Sequence, residues 1–178
     1  MELFQNVEWS GTRAYSIGLN GLYVNLQGRE KDGIVPPAER DLLLSEIAER
    51  LEATIDPQTR SPAVSQVYLR DETYTDGGQR EIGPDAVIGY WKGTRGADAS
   101  ALGEVGKEVL IDNDKPWSGD HGIDPCLVPG VLFSNRKIDA DDPSILDLAP
   151  SVLTLFGIEP PKHMEGKPLF RAVESAAT

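Results

Sequence analysis

Asn20-Gly21, set between two short runs of alternating apolar residues, is the strongest local constraint on how this chain folds. Tyr15, Ile17 and Leu19 alternate before it, and Leu22, Val24 and Leu26 alternate after it. An Asn-Gly pair between period-2 runs predicts a tight β-hairpin, because both residues accept the backbone conformations such a turn needs. A charged loop follows at 27–33. Pro36-Pro37 then opens a helix, since proline is tolerated in a first helical turn. Leu43, Leu44, Ile47, Ala48 and Leu51 form its apolar stripe, and Asp56-Pro57 ends it. Strands are expected at 64–69 and 85–90, with a polar loop at 71–83 between them. Residues 93–106, rich in Gly, Ala and Ser, read as a surface excursion. The apolar run 128–133 reads as a buried strand. Asp147 is placed to cap a last helix, with Pro150 in its first turn and Gly157 just past its end. Ala149, Val152, Leu153 and Phe156 would form its buried face, and residues after 170 read as frayed. The order of elements predicts an α/β fold, a mixed sheet with flanking helices, in one domain spanning 1–178.

Charge and cysteine usage exclude several functions. The formal net charge is −12, which repels a nucleic-acid polymer and an anionic membrane surface alike. A phosphate-bearing small molecule stays possible, because a bound cation reverses the local field. Cys126 is the only cysteine, so neither an internal disulfide nor a cysteine-based zinc motif can form. No apolar run approaches the ~18 residues of a membrane span. The first ten residues lack a signal-peptide pattern. An acidic chain with one thiol suits a reducing cytoplasm and leaves localisation undetermined.

The chemistry-bearing stretch is Trp117-Ser118-Gly119-Asp120-His121-Gly122. Imidazole is a common metal ligand near neutral pH, and flanking glycines let backbone approach an ion closely. The loop therefore reads as one corner of a metal site. A catalytic metal needs about three protein ligands, and the chain has only two histidines, His121 and His163.

Three stretches, in order, resemble the C-terminal part of the alkaline phosphatase superfamily, in its type I phosphodiesterase/nucleotide pyrophosphatase branch. The first runs from Trp9-Ser10-Gly11-Thr12-Arg13 into Gly21-Leu22-Tyr23-Val24-Asn25 and on to Gly28-Arg29-Glu30. The second is the His121 loop leading to Val128-Pro129-Gly130-Val131. The third is Asp147-Leu148-Ala149-Pro150-Ser151, then Phe156-Gly157-Ile158 and Met164-Glu165-Gly166-Lys167. The resemblance implies a phosphate-ester hydrolase with two divalent metal ions, zinc by preference, that stabilise the attacking and leaving oxygens. It implies that His121 is the last metal ligand and that Asp120 orients it. It also implies that the nucleophile and the other ligands come from an N-terminal catalytic part not contained in this sequence. No catalytic residue is therefore assigned within the chain, which is expected to be inactive alone and to hold no metal tightly. Its partners would be that catalytic part and a phosphate-ester small molecule. On this reading 27–115 holds a cap-like insertion, and 116–170 holds the metal loop, a core strand and the final helix.

Other polar residues have plainer readings. Arg29 could contact a substrate phosphate, and an ion pair with Glu30 or another loop acid explains it as well. Thr12 beside Arg13 lacks a nearby general base and reads as structural. Asp112, Asn113 and Asp114 lack the glycine and distal glutamate of a calcium loop. His163 reads as solvated, and Cys126 as a small packed hydrophobe. From a different class, the chain could be a non-catalytic α/β module that binds a partner chain through an exposed sheet edge.

Overall fold

The computed structural model describes residues 4–74, 80–101, 103–117, 119 and 121–170. They fall into two compact units, Met1–Pro129 and Gly130–Thr178, where the sequence suggests one domain.

The first unit is built on a four-stranded sheet. Strands β1 (Ala14–Ile17) and β2 (Gly21–Val24) form the expected hairpin, with Ala14 opposite Val24 and Ile17 opposite Gly21. That register places the turn at residues 18–20 and not at Asn20-Gly21. Gly18 takes the left-handed conformation, φ +78°, that the turn requires. Helix α1 (Arg40–Glu52) follows a short 3-10 turn opened by Pro37. Strand β3 (Val64–Leu69) leads into one helical turn, α2 (Arg70–Thr73), and β4 (Ala86–Tyr90) returns between β2 and β3. The order is β1-β2-β4-β3, and every strand pair is antiparallel. The α/β character holds; the expected mixed sheet does not, because no helix here connects two adjacent parallel strands.

One face of this sheet is the core. Leu22 and Val24 of β2, Ala86 and Ile88 of β4, and Val64 and Val67 of β3 point to it, joined by Val35. Leu43 and Leu44 of α1 close it, with Ile47, Ala48 and Leu51 packed at the margin. The predicted stripe is thus the face the helix buries. At β3 the Val67 N–H donates to Glu52 Oε1 at 2.8 Å, so a side chain from the end of α1 satisfies part of that open edge. The stretch read as an insertion, 27–115, supplies α1, β3 and β4 to the same core as the hairpin. Within 93–106 the only regular element among the described residues is one turn, α3 (Asp98–Ala101).

In the second unit, helix α4 (Leu148–Leu155) follows a 3-10 turn, Ile145–Asp147, started by a Ser144–Asp147 capping box. Asp147 thus occupies the N-cap position of α4 without a side-chain cap bond there, its carboxylate serving as the far partner of the box. Its other oxygen accepts the Lys167 N–H at 2.7 Å, which folds the tail back onto the helix start. Ser151 Oγ donates to Asp147 O at 2.5 Å and accepts from Leu169 N at 2.7 Å, and Leu169 is buried. Gly166 passes so close that a Cβ there would stand 2.0 Å from the Leu146 carbonyl oxygen. Gly157 ends the helix at φ +71°.

Two expectations fail in this region. Residues 128–133 form no strand; Val131 is 85% and Phe133 91% exposed. All strands among the described residues lie between 14 and 90, so this apolar run has no ladder to join. Most of the α4 face expected to be buried is turned out as well. Pro150 and Ser151 are buried instead, Leu153 is half-buried, and Ala149, Val152 and Phe156 are exposed.

Candidate functional site

The His121 loop is tied to the end of β4. Tyr90 N–H donates to Gly122 O at 3.3 Å, and Asp124 N–H donates to Tyr90 O at 3.0 Å. Ile123 thereby forms a parallel bridge with Tyr90 beside the sheet. Two other loops meet at the same end. The hairpin turn presents Asn20 O to Ile88 N–H at 2.9 Å and Leu19 O to the Tyr90 hydroxyl at 3.2 Å. Gly96 then runs so close to Leu19 that a Cβ would come within 2.4 Å of its carbonyl oxygen. Arg95 reaches Gly119 O at 3.4 Å and pairs with Asp98, which Lys115 Nζ also contacts at 2.8 Å. The loop is thus anchored on both sides of His121, while His121 itself is exposed. Asp120, expected to orient the histidine, lies outside the described residues.

Three residues after His121, Asp124 is fully buried, with 0% exposure. Its Oδ1 accepts from the Tyr68 hydroxyl at 2.9 Å and from Cys126 N–H at 2.8 Å, capping the short 3-10 turn Pro125–Leu127. Its Oδ2 fills the space where a Cβ on Gly89 would otherwise stand, 2.8 Å away. Burial pushes the Asp124 carboxyl up, but the Cys126 N–H and the Ser65 and Tyr68 hydroxyls outweigh it and hold the group below the ordinary carboxylate value. The Tyr68 hydroxyl is pushed up, by contact with the Cys126 thiol first, then by burial and by the Asp124 charge. Cys126 is exposed and does not pack as a small hydrophobe; it lies 3.6 Å from the Tyr68 oxygen.

A second polar centre holds β2, β4 and the 25–35 loop together. Asp85 is fully buried and receives Val24 N–H at 2.7 Å and both terminal nitrogens of Arg29, at 2.9 and 2.5 Å. Arg40 Nε at 3.2 Å and Arg70 at 3.5 Å complete the ring around it. Burial raises the Asp85 carboxyl, yet Arg29 and the Val24 N–H reverse this and leave it depressed. The hydrogen bond to Asp85 in turn raises the Arg29 guanidinium. Arg29 is therefore consumed by Asp85, Glu30 and Val24 O, and the ion-pair reading explains it without a substrate. The neighbouring cleft, about 240 Å³, is lined by Arg40 and Arg70 but also by Asp41, Asp71, Glu72 and Asp85. Acids outnumber bases there, so the cleft offers a phosphate no favourable field.

The remaining residues follow their plainer readings. Thr12 Oγ1 donates to Glu8 O at 2.8 Å. Asn113 organises its own loop through Lys115 N and Trp117 O, and Asp112 accepts from Gln58 at 3.0 Å. His163 is exposed. The sequence reading missed Asp85 and Asp124. For Asp124 a signal existed, since Asp followed by Pro is the start signature of a short helical turn. For Asp85 no local pattern announces three arginines drawn from distant positions.

The donor set was tested against the two-zinc centre that the resemblance implies. Among the described residues, no three His, Cys, Asp or Glu side chains converge. His121 stands as a single imidazole, and the neighbouring carboxylate, Asp124, is committed to Tyr68 and Cys126. These residues do not complete a metal centre by themselves. No protein-family model, curated protein or solved structure matches the chain.

Proposed function

We propose that the chain is the C-terminal portion of a metal-dependent phosphodiesterase/nucleotide pyrophosphatase-like hydrolase, to which it contributes His121 as one metal ligand. The observation that carries this reading is the anchoring of the His121 loop. Backbone pairing to Tyr90 and the Asp124 contacts hold the residues after His121, Arg95 reaches Gly119 O before it, and the histidine between them is exposed. A loop serving only to connect elements needs no such fixation, whereas a metal ligand must be held in place before the ion arrives. The exposed apolar side chains of 131–158 support the same reading. Val131, Phe133, Val152 and Phe156 are what a sheet supplied by the remainder of such an enzyme would cover.

The function follows from the missing ligands. A single imidazole binds a divalent ion weakly, and the described residues supply no nucleophile beside it. Alone, the chain is expected to show no metal-dependent hydrolysis. In the complete hydrolase, His121→Ala is expected to reduce turnover of a chromogenic phosphodiester at least about 10-fold, the range for losing ligand support at a metal. Comparing bis(4-nitrophenyl) phosphate with 4-nitrophenyl phosphate tests the substrate class. Chelator-sensitive turnover by the isolated chain, or full turnover by the variant enzyme, would overturn the proposal.

A further inference from the structure

We propose that the cleft between the first turns of α1 and α2 binds a small aliphatic amino acid as its zwitterion, with Arg70 and Arg40 holding the carboxylate and Glu72 and Asp41 the ammonium. The cleft lies wholly within the first unit, and the proposal is independent of any metal role for His121.

Arg70 is the residue that points to a ligand. It is only 4% exposed, yet its Nε has no hydrogen-bond acceptor among the described residues. Its Nη1 donates to Arg80 O over a long 3.4 Å. Carboxylates surround the guanidinium at ion-pair distance only, Asp85 at 3.5 Å, Asp71 at 3.6 Å and Glu81 at 3.9 Å. Arg29, which shares Asp85 with it, is bonded differently: four hydrogen bonds of 2.8, 2.9, 2.8 and 2.5 Å hold it. A guanidinium carries five N–H donors, and burying them without acceptors is costly. The side-on pair of Nε–H and Nη2–H is the fork that grips a carboxylate through two parallel bonds.

The lining of the cleft selects the rest of the ligand. Arg70 and the half-buried Arg40 sit inside, while Asp41 and Glu72 are exposed at the rim. A bare cation is repelled by the two arginines, and a doubly charged phosphate by the surrounding acids. A molecule with a carboxylate at one end and an ammonium at the other, and no net charge, meets both. The inner acids do not oppose it, because Asp85 is paired with Arg29 and Asp71 with Arg80. Leu44 and Leu69 supply apolar wall for an aliphatic side chain. The volume, about 240 Å³, is roughly eight times one water's share of the liquid and sets the size at that of valine or leucine.

The test is isothermal titration calorimetry of the whole chain with L-valine and L-leucine. Two leucine analogues complete the series: 4-methylpentanoate, which lacks the ammonium, and 3-methylbutylamine, which lacks the carboxylate. At least one amino acid should bind with a Kd of about 1 mM or tighter. Both analogues should bind about 10-fold more weakly than leucine, since each leaves charged groups of the cleft unanswered. Arg70→Lys keeps the charge, removes the fork and should weaken the amino acid about 10-fold. Glu72→Gln, at an exposed position, should weaken it about 3-fold and leave 4-methylpentanoate unmoved. A urea melt of ligand-free Arg70→Lys checks its fold; if that variant does not fold, the analogue series and Glu72→Gln still decide the matter. Absence of binding by either amino acid at about 10 mM would overturn the proposal. So would equal affinity for leucine and 4-methylpentanoate, or an affinity that neither variant moves.

Discussion

Asp85 receives the Val24 N–H and two nitrogens of Arg29 in a place that water does not reach, with Arg40 and Arg70 close by. Removing the carboxylate leaves three guanidinium groups facing one another and a buried N–H without a partner. Asp85→Ala should therefore destabilise the first unit by about 3 kcal/mol, as when one member of a buried pair is lost. Urea melts of parent and variant measure this; a change below about 1 kcal/mol would mean the ring is energetically idle. The same carboxylates set an acid limit. Asp85 is held below its ordinary value, and Asp71 is held at about 2 by Arg80 and then Arg40. Depressed carboxylates stabilise the fold above the unfolded value, 3.8, and that contribution fades as pH falls through the folded values. Melting temperature should be flat near neutrality and drop below pH 4 towards pH 2, and Asp71→Asn should make the drop shallower. His121 is exposed, so His121→Ala should shift stability by no more than about 0.5 kcal/mol whatever it does to metal binding.

The elements that the sequence makes legible are those whose partners lie nearby in the chain. The hairpin and α1 carry periodic apolar patterns, β3 and β4 short apolar-rich runs, and each finds its neighbours inside residues 14–90. Leu44 shows the pattern translating into packing: it lies on the predicted stripe and is buried against the sheet. Leu44→Ala should cost about 2–5 kcal/mol by thermal or urea melting, since the cavity it opens is ringed by β-strand side chains. A loss under about 1 kcal/mol would show that α1 covers the sheet only loosely. Residues 128–133 mark where reading by pattern stops. Their composition is that of a buried strand, but a strand exists only through its ladder, and hydrophobicity alone cannot supply one. The last helix forms for local reasons, its Ser144–Asp147 box and Gly157, while which face it buries depends on what lies beside it. The His121 loop stands out in the sequence by its flanking glycines. Its support does not, because Tyr68 and Gly89 are related to Asp124 only through the pairing of β3 with β4.

At the scale of the molecule, the first unit has a core of its own, and both it and the 130–170 segment expose large apolar side chains, Val109 and Trp117 in the one and Phe133 and Phe156 in the other. Phe133 and Phe156 are 91% and 79% exposed, which for an independent soluble protein is costly. The chain should therefore bind 1-anilinonaphthalene-8-sulfonate while natively folded, and Phe133→Ser with Phe156→Ser should reduce the signal without lowering the melting point of the first unit. Dye binding unchanged by these substitutions would place the apolar surface elsewhere. The central claim is that this chain completes a metal centre with His121. The most direct measurement is zinc affinity by competition with a chromophoric chelator, for the catalytic part of the hydrolase with and without this chain. The account predicts that adding the chain tightens zinc binding by about 10-fold or more and that the His121→Ala chain fails to do so, as expected for a lost metal contact. Equal affinity with parent chain, variant chain or no chain would contradict it.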